Sequence, residues 1–191
     1  MCCGVWVALT AGRTRTLLRS WDPIDALWVA YNAILAGLFL IRSRPAVVSM
    51  NPVHWIVALL TSFSGLFFGK QPDSASPGLS GVADVLIVAG LIFSGLTALY
   101  LGRSYDFLPA LRGVQTRGPY RFVRHPMYAL SLLMRFSYVL KHPSPQNVVI
   151  LLIVILLYDR RAAFEESIMR HDARYRSYEE MVRCRFLPKV Y

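Results

Sequence analysis

The sequence predicts an all-α integral membrane protein: one domain over residues 1–191, with about five transmembrane helices and a C-terminal cytoplasmic helical segment. Three observations predict it. Hydrophobic residues make up 55% of the chain and charged residues only 17%. Mean hydropathy is +0.42, too apolar for a soluble domain of this size. Apolar runs long enough for membrane helices recur along the chain, and the basic residues gather between the runs rather than within them.

Residues 1–22 form an N-terminal interfacial piece. Its first ten residues place no basic cluster ahead of their apolar stretch, so no cleavable signal peptide is expected and the spans themselves direct insertion. Cys2 and Cys3 read as small apolar residues, with acylation beside the membrane as the alternative. Together with Cys184 they form no CxxC pair and have no histidine at ligand spacing, so neither a metal site nor a disulfide framework is expected.

The first three spans occupy residues 23–101. Residues 24–41 follow Asp22-Pro23, a helix start, and stop at the basic RSRP of 42–45. Residues 53–68 form the second span, closed by Gly69 and a turn-rich stretch. Residues 82–101 give twenty residues with a single charge, Asp84. The fourth span starts at Pro126 and runs to 140. The fifth, VVILLIVILLY at 148–158, is eleven residues long before Asp159-Arg160-Arg161, and its helix can continue out of the bilayer. The short KHPSPQN between these two predicts an antiparallel hairpin.

The 21 basic residues include only three lysines, Lys70, Lys141 and Lys189, and the net charge is +10. In so apolar a chain this balance suits anionic lipid or an anionic ligand, and no nucleic-acid partner is expected. The arginine bias orients the chain with a cytoplasmic C-terminus. Arg42, Arg44, Arg103, Arg112, Arg117, Arg121, Arg124 and the arginines after 159 then lie inside, while Lys70 and Lys141 lie outside. Arg13, Arg15 and Arg19 fit only if residues 1–20 lie along the membrane surface or re-enter it.

Two polar clusters carry the chemistry. In RGPYRFVRHPMYAL, residues 117–130, Gly118-Pro119 breaks the chain and Pro126 starts a helix, so His125 stands at a helix N-terminus where free backbone N–H groups favour a polar or anionic ligand. The second cluster, residues 160–188, holds Glu165 and Glu166 on the helix leaving the bilayer. Tyr175 and Tyr178 follow, three apart, with Arg183 and Arg185 before Pro188. Plainer roles compete: His125 as a helix cap, Tyr120 and Tyr128 as interfacial aromatics, the two glutamates as solvated or salt-bridged residues.

Taken in order, GPYRFVRHPMY, an apolar hairpin, the Glu pair and YRSYEEMVRCRFLP resemble the isoprenylcysteine carboxyl methyltransferase family and its bacterial-type relatives, within a wider group that includes phospholipid methyltransferases. The resemblance covers Leu101–Pro188. It implies S-adenosylmethionine as cofactor, bound by Tyr120, Arg124, His125, Pro126 and Tyr128 with Glu165, Glu166, Tyr175 and Tyr178, and a lipophilic small-molecule acceptor arriving from the membrane lipids. A carboxylate of a prenylated or similar molecule is the acceptor it implies first. No general base is assigned for that acceptor; for a neutral one, Glu165, Glu166 and His125 are the candidates.

Two departures stand out. Arg135 lies nine residues into the fourth span, where a charge faces a protein interior or a wet cavity; it binds an acidic substrate group, pairs with Asp84 or Asp159, or reaches the surface. Ala129-Leu130 stands where relatives often carry glycine, which leaves the local packing open. Two other readings compete with the methyltransferase: a nicotinamide-dependent membrane reductase of related architecture, and a non-enzymatic membrane scaffold.

Overall fold

A computed structural model describes residues 22–69, 75–106, 110–111 and 113–188, with Thr14 and Leu18. Cys2, Cys3, Arg13, Arg15, Arg19, Lys70, Arg112 and Lys189 lie outside the described residues. The described chain is mostly helical: α1 (Pro23–Ile41), α2 (Pro52–Phe63), α3 (Pro77–Leu101), α4 (Pro126–Lys141), α5 (Pro145–Met169) and α6 (Ala173–Met181). Short 3₁₀ turns follow α2 at Ser64–Leu66 and α3 at Gly102–Ser104. One antiparallel pairing of two residues joins β1 (Val47–Val48) to β2 (Ala110–Leu111).

Local sequence explains where the helices begin. Each of α1 to α5 has proline in its first turn, where the missing N–H is not needed. Asp22, Asn51, Ser144 and Asp172 accept backbone N–H bonds as caps for α1, α2, α5 and α6. α3 starts five residues before the expected Val82 because Ser76-Pro77 supplies an earlier start and Gly78 and Gly81 are carried within the helix. α2 is shorter than expected: twelve α-helical residues, then the 3₁₀ turn. α5 extends through Met169, so the apolar run and the two glutamates share one continuous helix.

Contacts at the helix ends fix relative directions. Arg42 pairs with Asp106 at 2.9 Å and Ser43 N–H donates to Arg103 O at 2.9 Å, so α1 and α3 finish at the same end and run parallel. Lys141 meets Asp84 at 2.8 Å, making α3 and α4 antiparallel. His54 stacks on Phe164 with ring centroids 4.1 Å apart, while Gly69 N–H donates to Asn147 Oδ1 at 2.9 Å, making α2 and α5 antiparallel. The five long helices therefore alternate in direction, with an arginine-rich end marked by Arg42, Arg103 and Arg124 and an opposite end marked by Lys141.

α3 and α4 form the central pair. A Cβ added at Gly90 of α3 would meet Met134 Cγ at 2.6 Å, so this glycine lets the helices approach. Tyr31, Leu35 and Leu38 of α1 pack with Leu91, Ala98 and Met134, and a second cluster joins Phe68, Val139, Leu151, Val154 and Tyr158. Large apolar side chains such as Ile92, Phe93 and Leu96 of α3 and Leu152, Ile153 and Leu156 of α5 face outward. By length and composition, two helices among the described residues suffice to cross a membrane: Pro23–Ile41, and α3 with its 3₁₀ extension, Pro77–Ser104.

Candidate functional site: a polar knot beside a long cavity

The connector before α4 is shaped by Gly118. Its φ of +60° suits glycine, and a Cβ there would lie 2.7 Å from the Tyr100 ring. The 3₁₀ turn Gly118–Arg121 buries Tyr120, whose carbonyl accepts a 2.6 Å bond from the Tyr178 hydroxyl of α6. The tail after α6 folds back along the same segment: Arg124 N–H donates to Cys184 O and His125 N–H to Arg185 O, each at 2.9 Å. The basic lip read from sequence is thus clamped by chain about sixty residues later.

At the centre of this clamp lies Glu166, whose side chain is wholly buried. Its Oε1 accepts from Arg124 Nε at 3.1 Å, His125 Nε2 at 3.2 Å and Arg185 Nε at 3.2 Å, and its Oε2 accepts from Arg185 Nη2 at 2.8 Å. Burial alone raises the carboxyl pKa. The hydrogen bonds from His125 and Arg185, with the charges of His125 and Arg124, outweigh that and hold it at about 2. The carboxylate only accepts, so the proton shared with His125 sits on Nε2. His125 occupies the N-cap position of α4, but its side chain makes no capping bond and turns to Glu166 instead.

Glu165 behaves differently. It accepts from the Tyr128 hydroxyl and from Arg161 Nε at 3.3 Å, its Oε2 lies 3.9 Å from His125 Nδ1, and its side chain stays 20% exposed. That exposure is to a cavity of about 610 Å³, within the roughly 300–1,000 Å³ of small-molecule sites. Tyr120, Arg124, His125, Tyr128, Glu165, Tyr175 and Tyr178 line it, as does Arg135. Pro126 and Glu166 do not; they lie behind the wall. Met127, Tyr128, Ser131, Met134, Arg135, Tyr138, Lys141 and His142 all face the cavity, so it runs the length of α4, roughly 25 Å.

The two expected strips therefore meet, with one orphan among them. The Tyr175 hydroxyl is buried, belongs to a cavity-lining residue and has no hydrogen-bond partner among the described residues. Burial raises the pKa of Tyr175, and that of Tyr178 to about 12, so both remain protonated donors near neutrality.

Arg135 donates Nε to Ser64 Oγ at 2.7 Å, Nη1 to Ser131 O at 2.9 Å and Nη2 to Thr61 O at 3.1 Å. The acids considered as its partners are engaged elsewhere, Asp84 with Lys141 and Asp159 with Arg185 at 3.0 Å. Several wall residues were not singled out from sequence. Arg161, buried, bonds Thr61 Oγ1 at 2.8 Å and Ser62 Oγ at 2.9 Å and stands four residues before Glu165, a spacing that signals the pair. Asp25, Trp28, Tyr31, Asn32 and Leu35 of α1 line the cavity at three- and four-residue intervals, a visible helical stripe. Arg185 has no local signal, since only the fold-back brings it to Glu166.

Residues 78–174, just over half of the chain, match the phospholipid methyltransferase family. The chain belongs to that family. It is the wider group to which the Leu101–Pro188 resemblance points. A relative, phosphatidylethanolamine N-methyltransferase A of Dictyostelium discoideum, is 29% identical over 89 residues, which are 47% of this chain and 41% of that protein. The chain thus matches well under half of the relative's length. Within the family region lie α3, α4 and α5, with Tyr120, Arg124, His125, Tyr128 and Glu165; α1, α2, Tyr175, Tyr178 and Arg185 lie beyond it.

Proposed function

We propose that this protein is a membrane methyltransferase that moves the methyl group of S-adenosylmethionine to a lipid acceptor drawn from the bilayer. One observation carries the reading: the RHPMY strip and the Glu165 to Tyr178 strip converge on a single cavity that continues along the whole of α4. The donor set fits the cofactor. The orphan Tyr175 hydroxyl and the Glu165 carboxylate are unmet or half-met hydrogen-bonding groups suited to ribose and amino-acid atoms, and Tyr120 adds an aromatic ring to the same wall, whereas the Tyr128 ring is stacked on His125. When bound, the cofactor supplies an electrophilic methyl group on a sulfonium.

The chain's own residues orient, exclude water and handle protons. The Tyr128 hydroxyl and Arg161 fix Glu165. The Glu166 knot holds the segment bearing His125 and Tyr120 in place. The family and the relative's name favour the amine of an aminophospholipid as acceptor. An amine must lose a proton, and Glu165, facing the cavity, is positioned to take it. Glu166 is a poor base, with its oxygens occupied by four donors and its pKa near 2. A second reading, methylation of a lipophilic carboxylate of prenylated or similar type, is favoured by the RHPMY resemblance and by the cation at Arg135, and needs no base. Family membership argues against the nicotinamide reductase and the scaffold.

The alternating helix directions and outward apolar faces support a multi-pass arrangement of five crossings with the arginine-rich end cytoplasmic. Calorimetry of the purified chain in detergent tests the function. S-adenosylhomocysteine is expected to bind and a reduced nicotinamide not to. Labelled methyl from S-adenosylmethionine should then appear in phosphatidylethanolamine supplied in mixed micelles. Nicotinamide binding in place of S-adenosylhomocysteine, or binding of neither, would overturn the proposal.

A further inference from the structure

We infer that Arg135 is the docking point for an oxyanion of the acceptor lipid, a phosphate or a carboxylate, held roughly one helical turn along α4 from Tyr128, whose hydroxyl bonds Glu165. The inference rests on the lipid-acceptor reading and names the chemical group that reading lacks. Arg135 sits midway along α4, inside the cavity wall, at a depth where an uncompensated cation is expensive. Its three hydrogen bonds go to neutral oxygens, Ser64 Oγ, Ser131 O and Thr61 O. These fix the plane of the guanidinium without cancelling its charge.

Among the described residues Arg135 has no carboxylate partner. Arg161 bonds the same Thr61 from the other side, but is matched by Glu165. Two guanidinium groups therefore bracket one threonine with a single carboxylate between them. Of the five guanidinium N–H groups of Arg135, three are used, which leaves one on each terminal nitrogen. Two N–H groups are what a two-oxygen anion accepts.

The position suits both possible sources of the anion. The guanidinium bonds the Ser131 carbonyl, three residues or roughly 4.5 Å along the axis from Tyr128. An aminoethyl phosphate places its nitrogen two carbons and an oxygen from phosphorus, so a phosphate at Arg135 would leave the amine directed toward Glu165. A carboxylate at Arg135 would be the reacting group itself. The Tyr158 ring, 5.4 Å from the guanidinium carbon, and the Tyr128 ring, 5.2 Å from Tyr158, line the path between.

The test measures lipid binding to the full chain in detergent micelles with S-adenosylhomocysteine present, using dioleoylphosphatidylethanolamine, oleate, oleyl phosphate and oleylamine. On the wild type, at least one oxyanion lipid is expected to bind tenfold or more tighter than oleylamine. Arg135→Gln should weaken that lipid roughly 10- to 100-fold while leaving oleylamine and S-adenosylhomocysteine affinities in place, and Arg135→Lys should retain most of the preference. Loss confined to phosphatidylethanolamine and oleyl phosphate identifies a phosphate; loss confined to oleate identifies a carboxylate. Equal binding of all lipids by the wild type, or equal loss of oleylamine and the oxyanion lipids in Arg135→Gln, overturns the inference. The wild-type comparison decides even if that variant fails to fold. Absence of S-adenosylhomocysteine binding by the wild type would instead count against the methyltransferase reading.

Discussion

Glu165 and Glu166 are neighbours on one helix, yet they belong to different regions. Glu166 is the hub of a closed knot, with four cationic or cation-capable side chains, Arg124, His125, Arg170 and Arg185, and no solvent. Glu165 is a wall residue with one arginine, one tyrosine and open space beside it. A helix turns about 100° per residue, so one step in sequence is enough to move a carboxylate from the interior of a scaffold to the edge of a cavity. The same pair of letters therefore divides its labour, one acid holding the site together and the other left available to a ligand.

The sharpest way to break this comparison is Glu166→Gln. It leaves Arg124 with only Glu179 at 3.5 Å and Arg185 with only Asp159 at 3.0 Å as carboxylate partners, and should destabilise the fold by about 3–4 kcal/mol, read as a fall in chemical-denaturation midpoint in detergent. A loss no larger than that of Glu165→Gln would mean the knot is not structural.

Next in size is the acid dependence of the wild type. The Glu166 pKa is lowered in the fold, from 4.5 to about 2, so its contribution is fully present above pH 4.5 and is lost as pH falls from about 4.5 toward 2. That contribution is roughly 3 kcal/mol by linkage. Melting temperature across this window should drop in the wild type and drop less in Glu166→Gln.

Gly90→Val sharpens the comparison from the scaffold side. It forces α3 away from Met134 and should cost about 1–3 kcal/mol in the same unfolding assay, without the acid dependence of the knot. A smaller stability effect than that of Glu166→Gln, about 1–3 kcal/mol, is expected for Glu165→Gln, because glutamine still accepts a bond from Arg161 although the buried guanidinium loses this carboxylate's charge. Its larger effect should be on methyl transfer, with activity reduced at least tenfold if the acceptor is an amine. Stability loss equal to Glu166→Gln with activity per folded molecule unchanged would reverse the assignment.

Much of the fold was legible because its signals are local. Proline in the first turn and capping residues mark three of the five long-helix starts within a residue, while α5 began three residues earlier than read, at Pro145 within the short connection that sets the hairpin. α3 began earlier than read because Gly78 and Gly81 look like loop in sequence, whereas a helix packed on neighbours tolerates them. The site was half legible. Tyr120, His125, Tyr128, Glu165, Tyr175 and Tyr178 stood out by motif and reached one cavity. Glu166 was assigned with them, but facing is decided by the rotation of α5 against α4, which spacing does not encode. Arg185 and the α2 oxygens that hold Arg135 are contacts across 19 to 74 residues, formed only when the helices pack.

The cavity's walls come from two parts of the chain, one inside the family match and one outside it. The family match begins at residue 78, so the matched stretch contributes α3, α4 and α5, whereas α1, which lines the cavity from Ile24 to Leu35, and the end of α2, which lines it at Ser62 and Phe63, stand outside it. Ser64 and Thr61, the anchors of Arg135, belong to that unmatched portion. A change in α1 or at the end of α2 therefore reshapes the wall facing α4 while leaving the segments that carry RHPMY and Glu165 as they are.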